Sequence, residues 1–123
     1  MPRTVYPILQ YRDPRGAIDW LERAFGLVPA VVHETPDGGI GHAELRCGAH
    51  RVMLSGAGGD LGDHAGQGWC YVVVADPDAH HARAAAAGAE IVRPLTDLDY
   101  GSRDYSARDL EGNLWSFGTY APE

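Results

Sequence analysis

The polar and apolar positions of the chain change period in a fixed order. From Val5 to Tyr11 (VYPILQY) they alternate among β-forming residues, which predicts a strand, and Pro7 confines it to an edge or bulge. Asp13-Pro14 then signals a helix start. Ile18, Leu21, Ala24 and Phe25 recur on one helical face until Gly26 supplies a stop. Three short strands are expected next, at 29–34, 40–46 and 51–55, parted by the turns Pro36-Asp37-Gly38-Gly39 and Cys47-Gly48-Ala49.

Residues 56–68 are dense in glycine and have no apolar period, so they are expected to form a mobile connection. Without a P-loop Lys or a following helix, those glycines do not suggest a nucleotide site. The first order then recurs: a strand at 69–74, a helix from Asp76-Pro77-Asp78 to Ala87 with a stop at Gly88, and strands at 90–94, 103–108 and 114–120. Asp13 and Asp76 are 63 positions apart, as are Met53 and Ser116, and Gly26 and Gly88 are 62 apart. Two βαβββ modules are therefore expected, neither able to close a core alone: module one at about 3–55 and module two at about 69–120. With 123 residues and no interdomain tether, they are read as one domain, 1–123, of the α+β class.

Composition narrows the partners. The net charge of −7, with ten Arg and no Lys, argues against nucleic acid, whose binders gather a basic face. No apolar run approaches a membrane span, and Met-Pro-Arg-Thr-Val-Tyr-Pro lacks the apolar core of a secretion signal, so a cytoplasmic location is expected. Cys47 and Cys70 form neither a redox motif nor a zinc knuckle and read as small buried hydrophobes.

The segments Tyr11-Arg-Asp-Pro-Arg-Gly-Ala-Ile-Asp-Trp-Leu-Glu-Arg-Ala-Phe-Gly-Leu, His42-Ala-Glu-Leu and Tyr71-Val-Val-Val-Ala-Asp-Pro-Asp-Ala carry a resemblance in their order and spacing. Ala87-Gly-Ala-Glu, Tyr100-Gly-Ser-Arg and Asp109-Leu-Glu-Gly-Asn-Leu-Trp-Ser-Phe-Gly complete it. Together they resemble the vicinal oxygen chelate superfamily of glyoxalase I, ring-cleaving dioxygenases and the fosfomycin- and bleomycin-resistance proteins. The resemblance implies a curved, cup-like mixed sheet with helices outside, and a homodimer whose cups lie near or across the subunit interface. In catalytic members a divalent metal is held by His and Glu on the first and last strands of the modules. Aligned to this chain, those four positions read Tyr6, Met53, Trp69 and Ser116, which do not make a ligand set for a hard divalent cation. No metal and no cofactor is therefore expected.

His33, His50 and His64 read as solvent-exposed, and His80-His81 as helix neighbours facing different ways. His42 and Glu44 share one strand face, while Ala43 and Leu45 share the other. A His and a carboxylate so placed can bind a metal, do acid-base work or line a solvated face.

Strand alternation assembles a lining for the cup: Tyr6, Ile8, Gln10, His42, Glu44, Met53, Trp69, Tyr71, Arg103, Tyr105 and Ser116, with Trp115 and Phe117 turned to the core. Trp69 has two open fates, pocket wall or dimer contact. Aromatic walls with few polar anchors suit a planar or partly apolar organic ligand. The expected function is metal-independent capture of a bulky small molecule or peptide antibiotic, as in bleomycin-resistance-like members. The alternatives are a metal-dependent lyase, isomerase or thiol transferase, a metal-free acid-base enzyme using His42, Glu44 and Tyr105, and a dimeric scaffold with an empty cup.

Overall fold

A computed structural model describes residues 4–122, so the readings of the first three residues lie outside the described part. Two βαβββ modules follow one another: β1 (Ile8–Tyr11), α1 (Pro14–Phe25), β2 (Val28–Glu34), β3 (Ile40–Cys47) and β4 (His50–Gly56), then β5 (Trp69–Val73), α2 (Pro77–Ala86), β6 (Glu90–Asp97), β7 (Arg103–Arg108) and β8 (Leu114–Gly118). Each module makes its own four-stranded mixed sheet, ordered β1-β4-β3-β2 and β5-β8-β7-β6, with one parallel pair at the β1 or β5 edge. The register repeats as the sequence does, since Ile8 pairs with Met53 and Tyr71 with Ser116.

Both helices start by the same chemistry. The Asp13 and Asp76 carboxylates accept from the backbone N–H groups of Gly16 and Ala79, and Pro14 and Pro77 open each first turn. At residue 16 even a methyl group would meet the Asp13 carboxylate at 2.4 Å, so the cap requires glycine there. Helix α1 ends on Gly26 in the left-handed conformation, φ 75°. Pro7 delays the first strand to Ile8, and β1 is the edge of its sheet.

The modules are joined by polar contacts around a shared core. Side chains of α2 satisfy the last carbonyls of α1: the Arg83 guanidinium donates to Glu22 O and Arg23 O, each at 2.8 Å, and His80 Nε2 donates to Phe25 O at 2.9 Å. In return Trp20 Nε1 donates to Ala87 O at 3.0 Å. Between the helices and both sheets lie Leu9, Tyr11, Leu21, Phe25, Leu45, Leu54, Tyr105, Trp115 and Phe117, all buried in one cluster. The Phe25 ring packs on Trp115 and Phe117 at centroid distances of 5.5 and 4.7 Å, joining α1 to β8.

The connection expected to be mobile is instead anchored. It contains a short 3-10 turn, η1 (Gly59–Leu61), Ala65 is buried, the His64 N–H donates to Gln10 Oε1, and Arg12 pairs with Asp63 at 2.8 Å. Polar side chains thus give order to a segment with no apolar period. Cys47 and Cys70 are free thiols, each half-buried against the core, and burial pushes both up to about 11. No helix among the described residues is long and apolar enough to cross a membrane.

His80, far from solvated, is wedged between Phe25 O and the Tyr105 hydroxyl, 2.5 Å from Nδ1. Nε2 faces a carbonyl and so carries the proton, leaving Nδ1 to accept from Tyr105. Burial lowers its pKa below the ordinary value. The unfolded chain gains a proton near pH ~6.5 that the folded imidazole resists. Folding stability is therefore complete above that pH and falls as pH is lowered through it. In His80→Gln, whose amide can make the same two bonds, the slope of denaturation stability between about pH 7 and 5 should shrink. An unchanged slope would place the responsible group elsewhere.

Candidate functional site

The helix-bearing faces of both sheets share the core, so their opposite faces look outward, and the expected lining divides between them. Tyr6, Ile8, Gln10, His42, Glu44 and Met53 belong to the first module, and Trp69, Tyr71 and Ser116 to the second. Among the described residues no hydrogen bond joins the two sets.

On the first sheet, Glu44 is the centre. It accepts from His42 Nε2 at 2.9 Å and from Arg51 Nη1 at 2.6 Å, and these bonds, His42's first, hold its carboxyl below the usual range. His33, exposed as expected, stacks on His42 with ring centroids 5.9 Å apart. Ile8 and Tyr6 are exposed beside it, Met53 is paired with Glu44 across the strands, and Gln10 is spent in holding the connection. A strand-borne His with its carboxylate acceptor can shuttle protons, but Arg51 holds the same carboxylate in its charged form.

On the second sheet, small residues make a floor and large ones stand over it. Ser116 pairs with Ser106, their hydroxyls 2.7 Å apart, and Asp104 pairs with Gly118. Trp69 is 72% exposed, yet its indole is fixed, because Nε1–H donates to Ser116 Oγ at 3.0 Å. Tyr71 is also exposed, with its hydroxyl donating to Tyr120 O at 2.7 Å. An aromatic surface held in place but left in water is a feature of binding faces, since ordering it has no folding benefit of comparable size.

Two expected lining residues face the other way. Tyr105 pairs with Phe117, is fully buried, and gives its hydroxyl to His80, so it belongs to the helix-packed core. Arg103 shares its strand face and is bound by Asp78 of α2 and by Asp97 at 2.7 and 3.1 Å, which raises its pKa further. In an antiparallel pair the residues opposite one another point to the same face. With Ser116 on the outer face, Ser106 and Asp104 must be there, and Arg103 and Tyr105 cannot. The acid-base trio of His42, Glu44 and Tyr105 therefore does not form. Ser106, Asp104 and Arg93 are the outer-face groups missing from the expected lining, whereas strand alternation already places Arg51 in the cup with Met53. The pairing of β7 with β8 was the signal that could have found the first two.

The chain belongs to the Glyoxalase/Bleomycin resistance protein/Dioxygenase superfamily, whose sequence profile matches residues 3–117. Among solved structures it is similar to TioX from Micromonospora sp. ML1, with 39% identity, 98% of both chains covered and a TM-score of 0.82. It shares its fold with a bleomycin-binding protein from bleomycin-producing Streptomyces verticillus, complexed with copper(II)-bleomycin, at 23% identity, full coverage of both chains and a TM-score of 0.69. An uncharacterized protein of Mycobacterium bovis is 34% identical over 121 residues, covering 91% of this chain and 80% of that one.

The metal of catalytic superfamily members finds no matching donors here. The register sets Ile8 beside Met53 and Tyr71 beside Ser116, and the Ser116 hydroxyl is engaged with Trp69 and Ser106. No group of three His, Cys, Asp or Glu among the described residues is arranged to hold a metal ion. Elemental analysis of protein purified without chelators or a metal-binding tag should find no stoichiometric divalent metal. One zinc, nickel, iron or manganese per chain would contradict this account of the donor set and direct attention to His42 and Glu44.

Proposed function

We propose that this protein binds and sequesters a bulky, partly aromatic small molecule or peptide antibiotic without a metal, and that it works as a homodimer. The observation that carries the reading is the Trp69 indole, exposed yet tethered to Ser116 above a floor of small side chains. Supporting it, three of the four positions that the resemblance aligns with the family's metal ligands are Tyr6, Met53 and Trp69, side chains suited to apolar contact. A member of the same fold is described in complex with an antibiotic from its producer. The dimer is supported by the outward faces of both sheets, which leave Ile8, Trp69, Tyr71 and Val73 uncovered in a single chain.

A second reading, metal-free acid-base catalysis at His42 and Glu44, is favoured by their 2.9 Å contact but would have to proceed without Tyr105.

Capture is tested with two planar dyes of opposite charge, ethidium and 1-anilinonaphthalene-8-sulfonate, titrated calorimetrically. At least one should bind saturably, and Trp69→Ala should weaken it roughly two- to tenfold, the loss of one stacking partner, with the melting temperature kept. Unchanged affinity would remove Trp69 from the site, and saturable binding of neither dye would overturn the capture reading.

A further inference from the structure

The outer face of the second sheet holds a buried acid. Asp104 is 6% exposed, and its Oδ1 is sealed from solvent without an aligned hydrogen bond. Its charged partner is Arg93 of β6, whose Nη2 lies 3.2 Å from that oxygen but off the line a good bond needs. A buried carboxylate held this loosely carries a desolvation cost that one half-exposed, poorly aligned guanidinium does not offset well. Register shifts occur on both sides of Arg93 in the β6–β7 ladder, an irregularity of the kind that re-aims a side chain.

One aromatic side chain, Tyr71, is set beside this acid. Gly118, opposite Asp104 on β8, has no side chain, and a methyl group there would meet Asp104 Cβ at 2.7 Å and the Tyr71 hydroxyl at 2.8 Å. Glycine thus lets the acid and the phenol approach over one spot on the floor. Tyr71 is tied to the backbone of Tyr120, whose ring meets Tyr100 edge to face at 5.6 Å, and Trp69 stands two residues along β5 from Tyr71. A carboxylate beside electron-rich ring faces is the chemistry that recognises an organic cation, and a chain of net charge −7 draws such a ligand in.

Resting on the capture reading, we propose that Asp104 is the anchor for a cationic group on a planar aromatic ligand. Arg93 occupies that place until the ligand's cation displaces it. Tyr71 and Trp69 supply the ring contacts, and Asp104 selects for positive charge. Arg93 is a competitor for the anchor, so the two members of the ion pair have opposite effects on binding.

The test compares ethidium, a planar cation, with 1-anilinonaphthalene-8-sulfonate, a planar anion, on the parent, Asp104→Asn and Arg93→Ala, with thermal melting as the check of folding. The parent should prefer ethidium. Asp104→Asn should lower ethidium affinity about tenfold while sparing the anion, and Arg93→Ala should raise ethidium affinity several-fold. A merely structural ion pair would lose affinity in both variants, so weaker ethidium binding in Arg93→Ala overturns the proposal even if Asp104→Asn fails to fold. Trp69-dependent binding of both dyes, with a ratio that neither variant moves, would overturn the anchor and leave capture standing. Binding of neither dye would overturn both.

Discussion

One buried carboxylate holds the two halves of the chain in their relative positions. Asp109, in the turn between β7 and β8, accepts from Tyr11 Oη at 2.5 Å, from Trp115 Nε1 at 3.0 Å, and from the backbone N–H groups of Glu111 and Asn113. Two residues on, the Glu111 carboxylate accepts from Arg12 N and Asp13 N at 2.6 and 2.8 Å, where α1 begins. A buried charge with four donors is tolerable, and removing any of them leaves an unsatisfied group. The strand-helix junction of the first module is thereby docked on the last turn of the second. Tyr11 bears the consequence, since burial and then the Asp109 charge raise its phenol far above the ordinary value, so it remains a donor.

The site depends on that docking. Because Asp109 and the α1–α2 contacts turn both helix-bearing faces inward, the faces with candidate chemistry turn outward and stay apart. The first carries a compact polar set, His42, Glu44 and Arg51, whose members satisfy one another. The second carries a small-residue floor, fixed aromatic rings and a poorly satisfied acid, groups that still have something to gain from a ligand.

Much of the fold was legible in the sequence because the chain punctuates itself twice in the same way. Asp-Pro caps, glycine stops and apolar periods fix the βαβββ order, and a 63-residue offset confirms it in the register of Ile8 with Met53 and Tyr71 with Ser116. The outward turn of Trp69, Tyr71, His42 and Glu44 followed from alternation, because each strand has an unambiguous apolar partner set in Ala43 and Leu45 or Cys70 and Val72. Strand β7 offers no such contrast. In Arg103-Asp-Tyr-Ser-Ala-Arg each parity contains a charge and a residue acceptable in a core, and a tyrosine is at home on either face. Only the pairing with β8 decides its phase. Long-range contacts were equally hidden: nothing local marks His80 as the partner of Tyr105, or Gln10 as the support of the glycine-rich connection, because both depend on segments distant in the chain.

The central claim is that the second sheet's outer face, with Trp69 over Ser116, is where an organic ligand lies. Amide and indole chemical-shift mapping by nuclear magnetic resonance during an ethidium titration addresses it directly. The account predicts that the largest shifts fall on the Trp69 Nε1–H and on the backbone of β5, β7 and β8. Shifts centred on His42 and Glu44, or on residues 47–52 at the first-module wall of the crevice of about 660 Å³ between Cys47 and Cys70, would contradict it and move the binding site to another part of the molecule.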